Sequence, residues 1–128
     1  MGNTPIDLLI VDDSAAIRKI LQRVLQQIEI PLGNVFEAAD GKQALDLLNE
    51  HSVQLVLSDI NMPNMDGIEL LRTLRSSVQW QDLPVIMITT EGSQAKVAEA
   101  AKLGATSYVR KPFTADQLRY KLAAVLSV

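Results

Sequence analysis

Apolar runs that stop abruptly at charge constrain this chain most. IDLLIV stops at Asp12-Asp13, VQLVLS at Asp59 and SYVR at Lys111, while PVIMI stops at Thr89-Thr90. Apolar runs of this length read as buried strands of a parallel sheet. In an open α/β sheet, ligands collect outside the carboxyl ends of the strands. Three carboxylates, a hydroxyl and an ammonium should therefore meet at one sheet edge. Such a constellation suits a divalent cation and a phosphoryl group, and it points to Asp59 as the nucleophile.

Between the runs lie segments of helical period. Ile17, Ile20, Leu21, Val24, Leu25 and Ile28 follow the first run. Ala44, Leu45 and Leu48 mark a second helix, and Leu70, Leu71 and Leu74 a third. Val97, Ala98, Ala101 and Leu103 give the fourth only a shallow apolar face. Leu118, Leu122, Val125 and Leu126 mark the fifth. Strands are expected at about residues 7–11, 34–38, 54–58, 85–89 and 107–110.

Local chemistry places the boundaries. Asp66 with Glu69 and Thr114 with Gln117 have capping-box spacing, and Asp40 with Gln43 is a weaker version. Gly104 stands where a left-handed helix cap would sit. Pro84 opens the fourth strand, where a missing amide proton is tolerated. Alternating β and α units imply a parallel sheet with helices on both faces, and right-handed crossovers prune the topologies. The longest apolar runs belong at the centre. The expected fold class is therefore α/β: a doubly wound, flavodoxin-like, five-stranded parallel sheet in the order 2-1-3-4-5.

Bulk properties narrow the function classes. The 128 residues fit a single domain, 1–128, with nothing left over for an output domain. A net charge of −3 argues against a nucleic-acid surface. The absence of cysteine excludes disulfide and thiolate chemistry. No apolar stretch approaches the roughly 20 residues of a membrane span. The start MGNTPID lacks the apolar segment of a signal peptide, and Ile6 stands where a myristoylation motif wants Ser or Thr. A cytoplasmic protein without a membrane partner is expected.

Asp12, Asp13 and Asp59 would repel one another without a cation among them. Hard oxygen donors favour Mg²⁺ over zinc. Asp13 or Ser14 could alternatively serve only as a helix cap, and Asp59 only as a turn residue. A carboxylate can form an acyl phosphate. Lys111 can pair with a carboxylate and then with phosphoryl oxygens. Pro112 lowers the cost of a cis peptide, which would bend the loop and aim the ammonium inward. Thr89 supplies a hydroxyl, although threonine is common in strands in any case. His51 follows the second helix, far from the acids in this topology. Trp80 is expected to anchor its loop against the third helix, with a partner contact as the alternative.

Together, VDDS, DINMPNMDG, MITTEG and GATSYVRKPF, in this order and spacing over nearly the whole chain, resemble the receiver domain of bacterial two-component response regulators. The likeness is greatest to the single-domain, chemotaxis-type regulators. It implies a phosphoacceptor signalling protein that is not a classical enzyme and that assists its own phosphorylation and dephosphorylation. Asp59 resembles the acceptor of a phosphoryl group from a sensor histidine kinase. The Asp13 and Asp59 carboxylates and the Asn61 backbone carbonyl resemble the Mg²⁺ ligands, with Asp12 acting through water. Thr89 and Lys111 resemble the residues that bind phosphoryl oxygens, and Tyr108 the switch aromatic. Asn61 and Glu91 occupy the positions that tune acyl-phosphate lifetime, and as a polar pair they imply rapid self-dephosphorylation. Thr90 is bulkier than the alanine often found there and would hinder access to the phosphate.

The resemblance implies a downstream protein partner at the face of the fourth helix, fifth strand and fifth helix. Arg110, Arg119 and Lys121 could give that face a basic cast or simply be solvated. A monomer is expected. A phosphorelay shuttle and a haloacid-dehalogenase-like phosphatase are alternatives. The phosphatase family, however, carries an aspartate two residues after its nucleophile, where this chain has Asn61. A phosphorylation-independent structural module would not need intact acceptor residues.

Overall fold

The structure is a computed structural model that describes residues 4–90 and 94–126. Glu91 and the Met1-Gly2 start lie outside the described residues. Strands and helices alternate as β1 (Ile6–Val11), α1 (Ala15–Gln27), β2 (Leu32–Ala38), α2 (Gly41–Glu50), β3 (Leu55–Asp59), α3 (Gly67–Arg75), β4 (Val85–Thr89), α4 (Gln94–Leu103), β5 (Ser107–Arg110) and α5 (Ala115–Leu126). All strand pairs are parallel, in the order β2-β1-β3-β4-β5.

The pleat explains why the central strands are apolar throughout. Leu8, Ile10, Leu55, Leu57, Ile86 and Ile88 face one core layer, with Leu21 and Leu25 of α1 and Leu118 and Leu122 of α5. Leu9, Val11, Val56, Val85 and Met87 face the other, with α2, α3 and Ala100 of α4. Successive residues point to opposite faces, so a strand covered on both sides carries no polar alternation. Each fully buried leucine or isoleucine contributes about 1.5–3 kcal/mol over an exposed one. The edge strands show the contrast: β2 and β5 retain exposed positions on their solvent sides.

Four strand boundaries differ from the expected ones: β1 and β2 start early, at Ile6 and Leu32, and β3 starts and ends one residue late, at Leu55 and Asp59. β2 starts at Leu32, because Leu32 pairs with Ile6 across an irregularity in register, and the Asn34 amide donates to Asp7 Oδ1 at 2.7 Å. β3 runs through Asp59, whose backbone pairs with Ile88. A strand-end carboxylate fixed by the ladder is placed more rigidly than one on a loop.

The caps follow the local signals. Asp66 and Glu69 form a reciprocal capping box at α3. The Gln117 amide donates to Thr114 Oγ1, and Gln117 Oε1 accepts from the Thr114 amide. Gly104 has φ +100°, so a side chain there would be strained. Trp80 packs against the core layer that contains Leu70, Leu71 and Leu74, and its carbonyl accepts from Arg75 Nη1 at 3.2 Å. His51 caps the end of α2 and stacks on Phe36 with centroids 4.3 Å apart.

Helix α4 is the least firmly seated. It buries Ala100 alone, whereas α3 buries five residues. A cleft of about 290 Å³, lined by Met87, Val97, Ala100, Ala101 and Tyr108 among others, lies beside it. Small alanine side chains leave that volume unfilled.

Candidate phosphoacceptor site

The carboxyl ends of β1 and β3 are adjacent in the sheet, so the acids that terminate them converge. Asp12, Asp13 and Asp59 each offer a carboxylate oxygen within 4.8 Å of the others. Asp12 is 2% exposed, Asp13 is exposed and Asp59 is intermediate.

Each acid is held differently. Asp12 Oδ1 accepts from the Ser14 amide at 2.9 Å, and Oδ2 accepts from Lys111 Nζ at 3.2 Å. Its carbonyl accepts from Arg18 Nη1 at 2.6 Å, and Arg18 in turn pairs with Glu37 at 2.8 Å. Ser14, rather than Asp13, caps α1: its hydroxyl accepts from the Ile17 amide at 3.2 Å. Asp13 is thereby released from capping. Asp59 Oδ1 accepts from the Ile60 amide at 2.8 Å, while Oδ2 faces Lys111 Nζ at 3.6 Å.

The field at Asp59 is unfavourable to its charge. Burial pushes its carboxyl above the ordinary value of 3.8; Lys111 opposes this, and Asp12 and Asp13 add like-charge repulsion. Three acids and one ammonium leave a net negative charge of two on simple counting. Every donor in the cluster is a hard carboxylate oxygen; the chain's one histidine lies at the end of α2. That donor set fits Mg²⁺.

Lys111 reaches the site from the end of β5. Its amide donates to the Thr89 carbonyl at 2.6 Å, and the Lys111–Pro112 peptide is cis. Thr89 is buried at the end of β4, and its hydroxyl donates to the Thr90 carbonyl at 3.3 Å. Thr90 is exposed. Both threonines border a cleft of about 190 Å³ with Gln94, Val97, Tyr108 and Arg110. Tyr108 is 43% exposed as a residue, with Lys121 Nζ 5.5 Å from its ring centroid. Tyr108 thus stands apart from the acids, on the far side of Thr89.

Glycine shapes the loop after Asp59. The Gly67 amide donates to the Ile60 carbonyl at 2.8 Å, and a side chain at Gly67 would collide with the Asp59 backbone carbonyl. On its outer side the loop is bound to α2. Asp40 Oδ2 accepts from Asn64 Nδ2 at 2.8 Å, its Oδ1 accepts from the Gln43 amide at 2.9 Å, and the Gly41 amide donates to the Met65 carbonyl at 2.9 Å. Asn64 adopts φ +66° to make this possible. Asn61 is therefore carried on a loop pinned from both sides.

Sequence reasoning missed three supports: Arg18 on the Asp12 carbonyl, Asn64 on Asp40, and Lys96, whose Nζ donates to Asn61 Oδ1 at 2.9 Å. Lys96 and Asn61 are 35 residues apart, and no local pattern links them. Asp40 gave a signal, but only as a cap.

Comparison with known proteins agrees with this geometry. The response regulator receiver domain model matches residues 8–123. The chain is 42% identical over 120 residues to a chemotaxis protein CheY homologue of Campylobacter jejuni, covering 93% of this chain and 91% of that protein. It superposes on the chemotaxis response regulator CheY4 of Vibrio cholerae with a TM-score of 0.84 at 36% identity, covering 95% and 99% of the two chains. A response regulator receiver domain protein from Clostridium thermocellum gives a TM-score of 0.84 at 26% identity, covering 95% and 94%. Parallel order, converging acids and family match agree, and the chain belongs to the response regulator receiver domain family.

Proposed function

We propose that Asp59 is the phosphoacceptor of this two-component response regulator, which is of chemotaxis type. One observation carries the assignment: Asp59 Oδ2 lies 3.6 Å from Lys111 Nζ within a three-carboxylate cluster. A sensor histidine kinase supplies the phosphoryl group. Asp59 Oδ2 attacks phosphorus, a P–O bond forms as the P–N bond of the phosphohistidine breaks, and the imidazole departs.

Asp13, Asp59 and the Asn61 backbone carbonyl would hold Mg²⁺, with Asp12 acting through water. When bound, the ion neutralises charge on the transferring group. The remaining work falls to the chain. Lys111 shifts from its carboxylate partners toward the new oxygens, and the Thr89 hydroxyl gives up the Thr90 carbonyl for them. Phosphorylation adds about −1.5 to −2 charge at pH 7, with three acceptor oxygens. Drawing Thr89 inward vacates space beside Tyr108, whose ring turns toward the cleft under α4.

This rearrangement changes the face formed by α4, β5 and α5, where a downstream protein binds. Glu91, with Asn61, tunes the acyl-phosphate lifetime, and bulky Thr90 limits access to it. We place the protein in the cytoplasm as a monomer, a reading supported by its similarity to chemotaxis response regulators. The phosphatase reading is disfavoured, because Asn61 cannot act as a general acid.

Acetyl phosphate with Mg²⁺ should add one phosphoryl group, mapped to Asp59 by peptide mass spectrometry. Labelling at another residue would overturn the assignment.

A further inference from the structure

Lys96 connects the least firmly seated helix to the lip of the acceptor site. Its Nζ, on α4, donates to Asn61 Oδ1 at 2.9 Å, two residues beyond Asp59. Both side chains are at the surface. Helix α4 is otherwise tied to α3 by the exposed Arg72–Glu99 pair at 3.3 Å, and at its end by Arg75 Nε donating to the Gly104 carbonyl at 3.0 Å. The lip contact therefore depends on where α4 rests.

The chemistry of the acyl phosphate gives this contact a consequence. Hydrolysis requires water to attack phosphorus in line, opposite the Asp59 oxygen. The new P–O bond forms as the bond to Asp59 breaks, Asp59 leaves as a carboxylate, and the proton passes to bulk water. An amide oxygen at the lip can accept a hydrogen bond from that water and orient it. Asn61 Oδ1 is such an acceptor, but an ammonium donor holds it toward α4.

We propose that Lys96 is a positioning residue that turns Asn61 Oδ1 away from the attacking water and so lengthens the life of the phosphorylated state. The proposal rests on Asp59 as the acceptor. It makes lifetime a function of the seating of α4: a partner that displaces the helix breaks the Lys96–Asn61 contact and hastens hydrolysis.

The test is a double-mutant cycle on the full chain, phosphorylated with acetyl phosphate and Mg²⁺, freed of donor and followed by phosphate release. Lys96→Ala should hydrolyse about two- to fivefold faster than the parent, the coupling an exposed charged contact supports. Lys96→Arg, which keeps a donor, should restore the slower rate. In an Asn61→Ala background, Lys96→Ala should change nothing. Equal rates for parent and Lys96→Ala would overturn the proposal. So would an acceleration that persists without Asn61, because the lysine would then act through its field rather than through that amide. Failure of the parent chain to take up phosphate would instead overturn the Asp59 assignment.

Discussion

Lys111 Nζ lies 3.6 Å from Asp59 Oδ2, yet its shorter contact, 3.2 Å, is to Asp12. The ammonium is thus shared, and it favours the more buried acid. Asp59 keeps one oxygen bonded to the Ile60 amide and the other weakly paired. An acceptor must be restrained enough to be aimed and loosely enough partnered to react. This arrangement meets both requirements.

Asp59→Asn should block phosphorylation and also raise stability in metal-free buffer at pH 7. The folded state raises the Asp59 pKa, chiefly through burial. The folded protein therefore binds this proton more readily than the unfolded chain, and stability falls as pH rises from 3.8 through the higher folded value. Removing the charge removes that cost. Thermal melts of parent and variant should differ at pH 7 and converge as pH approaches 3.8. A variant melting below the parent at pH 7 would contradict the burial argument.

Lys111→Ala should destabilise the metal-free protein by about 1–3 kcal/mol, because it strands buried Asp12 without its cation. Urea denaturation measures the loss. Adding Mg²⁺ should recover part of it, since the ion offsets the same charge, whereas phosphorylation by acetyl phosphate should remain impaired.

Mg²⁺ should stabilise the parent chain at pH 7 by about 2.7 kcal/mol at a concentration 100 times its dissociation constant. The gain should fade as the solution is acidified, because protons compete with the ion for Asp59, whose carboxyl burial holds above its ordinary value. An equal gain in Asp13→Ala would show that the ion binds elsewhere.

Asp40→Ala should cost about 1–2 kcal/mol through the lost helix cap, with the release of Asn64, and so of the β3–α3 loop, adding to the loss. The Gln43 amide and then Asn64 hold the Asp40 carboxyl below its ordinary value. Its contribution is present above 3.8 and disappears as pH falls through the depressed folded value. Parent and variant melts should therefore draw together only in strong acid. A gap constant with pH would mean that the carboxylate charge plays no part.

Gly67→Ala should destabilise by about 1–3 kcal/mol and slow phosphorylation together. The added methyl meets the Asp59 carbonyl, and Met87 Cε at 2.9 Å, so the end of β3 itself has to shift. Denaturation and acetyl phosphate uptake on one preparation would test both.

Much of this protein was legible along the chain because its signals are local. Continuous apolar runs such as LLIV and VIMI marked strands covered on both faces, and run length separated centre from edge. Asp66–Glu69 and Gly104 punctuated helices through bonds and dihedrals that span a few residues. Parallel order then placed Asp12, Asp13, Asp59, Thr89 and Lys111 at a common edge. Folding decided what depends on distance between distant residues: that Lys111 favours Asp12 over Asp59, that Asp40 holds Asn64, and that Lys96 reaches Asn61. Those contacts join residues 24 to 99 positions apart. Hydrophobic period records which face a residue occupies, but carries nothing of which polar atom it meets across the site.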